Sequence, residues 1–153
     1  MPINVPSVQL QNSEVLEAEV SGPQGANRLF VCTGRAPFFL GANANVNRDV
    51  VTFFVGPALA RTEFFNAVAT ASITSFTLSP TGAPGGAPPA GTWSITDCDA
   101  DYDVSAGQVE VRVEVELQPA NANTFLQVTN LAFQVTILAQ RTAPPGPGPG
   151  PGP

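Results

Sequence analysis

Four carboxylates fall within seven residues in Asp97-Cys98-Asp99-Ala100-Asp101-Tyr102-Asp103. Side chains this crowded repel one another unless water or a cation screens them, and calcium, an oxygen-loving ion, is the natural cation. An EF-hand loop starting at Asp97 fails, because Tyr102 stands where that loop needs glycine and Gln108 where it needs a bidentate glutamate. Two readings stay open. Asp99, Asp101 and Asp103, joined by a distant loop, could hold calcium in a β-protein, or the segment is a solvated acidic turn between strands.

Glu110, Glu114 and Glu116 share one face of a strand, with alternate carboxylates about 7 Å apart by strand rise, which falls within the reach of glycoside hydrolysis. That face is solvent-facing, however, and nothing near it offers the apolar pocket that would raise one pKa. Cys32 and Cys98 are the only cysteines. They could pair within the chain, stay as free buried thiols, or pair between subunits.

The chain contains no histidine and no lysine. The commonest general base, the commonest zinc ligand, Schiff-base chemistry and the P-loop lysine are therefore all missing, and a non-enzymatic protein is expected. Six arginines face 12 acids for a net charge of −6. No basic face exists to neutralise phosphates or anionic lipid, so neither nucleic acid nor membrane is an expected partner.

The elements that must position these groups read as strands. Val109 to Leu117 alternates five apolar with four charged side chains, as a half-buried strand requires, whereas a helix would scatter the valines around its circumference. In the next strand Leu126 and Val128 lie on one parity and Leu131, Phe133, Val135 and Ile137 on the other, which predicts a bulge near Thr129-Asn130. Ser13 to Val20, Arg28 to Thr33, Val50 to Val55, Ala71 to Leu78 and Thr92 to Thr96 are further strands bounded by Gly, Pro or Asn, with Pro37 to Leu40 a short addition. Only Pro57 to Ala71 leaves room for a helical turn. The rhythm predicts an all-β fold, an antiparallel two-sheet β-sandwich of jelly-roll or Greek-key type.

The 153 residues suffice for one self-supporting core. Residues 13–142 form the expected sandwich domain, preceded by an extended arm over 1–12 and followed by a Pro-Gly tail over 143–153. In the arm, Ile3, Val5, Val8 and Leu10 offer apolar side chains to a neighbour's groove or, equally, form a first strand of their own sheet. The tail alternates glycine and proline with period two, which excludes a collagen triple helix and leaves Pro145, Pro147, Pro149 and Pro151 for a lone extended contact.

The start of the chain shows no charged n-region or apolar h-region of a signal peptide. Phe38-Phe39, Phe53-Phe54 and Phe64-Phe65 each put an aromatic on both sides of the chain, which calls for a second layer or a partner.

Asn66 to Thr96 and Leu117 to Gln140, over a third of the chain, carry no charge. β-proteins keep strand edges from recruiting copies with lysine, inward charges or proline, and the lysine device is absent. The expected function is a structural subunit that self-assembles into a filament, appendage or particle coat of spore-surface or virion type, located outside the cell or on a particle surface. A low lysine content from a GC-rich genome in a monomeric domain gives the same composition. The alternative function is a jelly-roll module that binds a glycan or surface ligand through Trp93, Tyr102 and calcium.

Overall fold

The structure, a computed structural model, describes residues 1–22 and 25–141. The expected tail over 143–153, with Pro145, Pro147, Pro149 and Pro151, lies outside the described residues. Eight strands follow in order: β1 (Ile3–Asn4), β2 (Gln11–Gly22), β3 (Gly25–Asn43), β4 (Asn47–Val55), β5 (Phe64–Pro80), β6 (Gly91–Asp103), β7 (Gln108–Pro119) and β8 (Thr124–Gln140). They form two four-stranded sheets, β1-β4-β7-β6 and β2-β3-β8-β5, packed as a β-sandwich. All pairings are antiparallel except β1 with β4.

Strands β5 to β8 make one long antiparallel hairpin rolled over on itself. Its inner limbs, β6 and β7, pair in the first sheet, and its outer limbs, β5 and β8, pair in the second. The β3–β4 arch adds to the other side of β8 and β7 in the same way. The β7–β8 arch is thus central in both layers, and its inward side chains make the core. Val109, Val111, Val113, Val115, Leu117, Leu131, Val135 and Ile137 are all fully buried.

The bulge expected near Thr129 is present. Asn130 pairs with Ser75 and Val128 with Phe76, so Thr129 is skipped by β5, and the parity of β8 changes there. The three Phe pairs split as alternation demands: Phe38 and Phe53 are buried and Phe64 packs on the core, while Phe39 and Phe65 are exposed.

Two sequence expectations need correction. No helical turn occupies Pro57 to Ala71. After a turn at 61–63, β5 begins at Phe64, and the roughly helical spacing of Leu59, Phe64, Phe65 and Val68 was coincidence. The acidic run is no turn either, because β6 continues unbroken through Asp103.

The N-terminal segment behaves as a first strand of its own sheet. Ile3 and Asn4 pair with Val51 and Thr52, and the Val5 amide donates to the Thr52 carbonyl at 2.9 Å. Val5 is buried, Ile3 and Leu10 pack on the core, and only Val8 of the four apolar residues is exposed. Three of them are therefore committed to their own chain's core, which leaves Val8 as the one exposed for a neighbour.

The uncharged Pro/Gly loop before β6 is held by the adjacent β7–β8 turn. Thr124, fully buried, accepts a hydrogen bond from the Ala90 amide at 3.0 Å and donates to Asn121 Oδ1 at 3.0 Å. Asn121 Nδ2 donates to the Pro88 carbonyl at 2.9 Å and Asn123 Nδ2 to Ala87 at 2.8 Å. Short side-chain amides thus satisfy loop carbonyls that no strand reaches.

Candidate assembly surfaces

The bulge between Ile95 and Asp97 sets what β6 shows to solvent. Past it, Cys98, Ala100 and Tyr102 stand opposite Val113, Val111 and Val109 and face the core, so every carboxylate of the run points outward. Asp97 lies opposite Glu114, Asp99 opposite Arg112, and Asp101 opposite Glu110. Arg48 on β4 hydrogen-bonds Glu116 through Nε at 2.8 Å and also through its terminal nitrogen, and lies 3.5 Å from Glu114. The outer face of the first sheet is an acidic field with Arg48 and Arg112 set into it.

Donors hold some of these carboxyls below their ordinary range. The Arg48 guanidinium, then the Gln118 amide, does so for Glu116. The Ser105 hydroxyl, at 2.5 Å, and the Ala106 amide, at 2.7 Å, do so for Asp103 where it closes the turn into β7.

Asp99, Asp101 and Asp103, the candidate calcium ligands, are strung along one strand at alternate positions, about 7 Å apart. With Tyr102, Glu110 and Arg112 they line one cavity on the outer face, where Arg112 stands opposite Asp99. Asp99 and Asp101 also spend an oxygen each on the following backbone amide, at 2.9 and 2.7 Å. Among the described residues, no group of three or more histidine, cysteine or acidic side chains is gathered to hold a metal ion.

Cys32 on β3 and Cys98 on β6 carry free thiols, so the intrachain disulfide is not formed. Burial pushes the Cys32 thiol up to about 11. Burial, then the charges of Asp97 and Asp99, raises that of Cys98. Neither is a thiolate nucleophile at neutral pH. Trp93 and Tyr102 sit at opposite ends of β6. The Tyr102 ring stacks on Phe64 at 5.4 Å and its hydroxyl donates to the Leu59 carbonyl at 2.7 Å, so it is spent on packing.

The outer face of the second sheet has the opposite character. One row across it reads Leu16, Val31, Thr136, Val68; the next reads Ala18, Leu29, Leu138, Asn66; a third reads Glu14, Thr33, Gln134, Thr70. Among the described residues only Glu14 and Arg35 bring charge to it. Leu16 and Val68 are 66% and 61% exposed. A shallow groove crosses it between Thr33 and Ser72 where Ala132 leaves space.

The edges divide in the same way. β1 is two residues long. β2 carries Glu17 and Glu19 on the side that faces the other sheet, with Glu19 3.3 Å from Arg141, and β6 carries the aspartates. β5 spans 17 residues and has no charged residue. Sequence reasoning registered the missing charge but not its concentration on one face and one edge, because that depends on which strands are neighbours.

No protein-family model, no curated protein and no solved structure matches this chain.

Proposed function

We propose that the chain is a non-enzymatic structural subunit that self-assembles through its sandwich surfaces into an extracellular filament, appendage or particle coat of spore-surface or virion type. One observation carries this reading: the molecule is two-sided, acidic on the outer face of one sheet and nearly uncharged on the outer face of the other. Copies repel through the acidic sheets and lose little solvation by covering the neutral ones, whose threonine, asparagine and glutamine side chains re-form hydrogen bonds across a contact. The tail over 143–153 and the exposed Val8 serve as secondary contacts between neighbours. Negative-stain imaging and size-exclusion chromatography of the purified chain at micromolar concentration test the reading. Regular particles or large oligomers are expected, and a monomer throughout would overturn it.

A second reading has one observation in its favour. Trp93 and Phe76 stack with ring centroids 3.8 Å apart and both are more than a third exposed, an aromatic surface of the kind that binds sugar faces. A glycan-binding module would show saccharide-dependent quenching of the single tryptophan and, if calcium takes part, a calcium-dependent rise in melting temperature.

A further inference from the structure

We propose that the edge of β5 is the primary contact, and that its occupant is β5 of a second copy, paired antiparallel about a two-fold axis to join two sheets into one of eight strands. The inference rests on the self-assembly reading above and names its surface.

Of the four sheet edges among the described residues, three carry a recognised guard: brevity in β1, inward glutamates in β2, and a row of aspartates in β6. β5 has none between its bulges near Phe65 and Thr74, so Asn66-Ala67-Val68-Ala69-Thr70-Ala71-Ser72-Ile73 is an unbroken ladder on β8 without charge, proline or glycine. One side of that ladder bonds β8, and the other turns its alternate N–H and C=O groups away from the sheet. The segment is long enough, and free enough of charge, proline and glycine, for strand pairing with a copy, and Val68, Thr70 and Ile73 give it three β-branched residues.

Charge selects the occupant. In a chain of net charge −6 whose other long edges are acidic, the neutral edge is the one that a second copy can approach without like-charge contact.

The two-fold pairing has a restricted register. Val68, Thr70 and Ser72 share the outer face and Ala67, Ala69 and Ala71 the inner one, so only registers that set like faces opposite keep both layers continuous. The axis then passes at a residue, and centring the pairing on the eight-residue ladder makes it Ala69 or Thr70; in either case the two Thr70 side chains lie opposite or diagonal to one another.

The test compares sedimentation of the full chain with that of Thr70→Lys, Thr70→Glu and their equimolar mixture, with circular dichroism as the folding control. Each single variant should fold as the parent does and raise the concentration for half association by more than about tenfold, through like charges facing across the axis. The mixture should restore association. A parent that assembles together with variants that assemble equally well would overturn the β5 pairing and leave self-assembly standing. Folded single variants that dissociate without rescue in the mixture would overturn the two-fold register, and a monomeric parent would overturn both proposals.

Discussion

Phe76 of β5 and Trp93 of β6 stack at 3.8 Å with their ring planes 31° apart, and so tie together the two sheets at the side where the rolled hairpin crosses between layers. Because the chain has one tryptophan, the contact reports on itself. Phe76→Ala should shift tryptophan emission to longer wavelength and lower unfolding free energy by about 1–2 kcal/mol, the value of an aromatic pair plus part of its buried area. Unchanged emission would show that the rings do not stack in solution.

Thr124 offers a sharper stability test. Thr124→Val keeps the shape but leaves the Ala90 amide without its acceptor and removes one of the two hydrogen bonds that Asn121 Oδ1 accepts, which should cost about 1–3 kcal/mol in chemical denaturation. A neutral result would mean that water replaces the hydroxyl.

Val5→Ala should destabilise the domain by roughly 1–3 kcal/mol, since Val5 fills part of the core beneath β4. Removal of residues 1–11 should be costlier still, because it takes β1 as well. An N-terminal truncation with unchanged melting would contradict the docked strand.

Acid should weaken the fold in a defined window. The Glu116 carboxyl is held below its ordinary value of 4.5 by Arg48, so its contribution is complete above that value and is lost as pH falls through the lower folded one. Melting temperature should therefore drop more steeply below about pH 4.5 in the parent than in Glu116→Gln. At the other extreme, the Cys32 thiol, raised from 9.0 to about 11, favours the fold fully below 9.0 and loses that contribution as pH rises to about 11. Cys32→Ala should lack this alkaline loss, and parallel melting curves for parent and variant would refute the assignment.

Strand β7 was readable from sequence because its alternation is strict and its two sides differ in charge. The β8 bulge was readable because a core strand cannot change face without one. The acidic run was not, since aspartate is a poor strand former, and only its place on an exposed outer face lets β6 continue through it. The helical turn placed over Pro57 to Ala71 failed because β5 is half-exposed and mixes apolar residues on both sides, which blurs its period of two. The contact of Thr124 with Ala90 joins residues far apart in the chain, and no local signal marks it. The same holds for the neutral face, which four separate strands compose.

The most direct measurement is sedimentation velocity of the full chain over rising concentration, at low and at physiological salt. A neutral contact between acidic molecules predicts oligomers that grow with concentration and grow further as salt shortens the screening length to about 8 Å. A single species of 15.8 kDa at every concentration, or association that salt weakens, would contradict it.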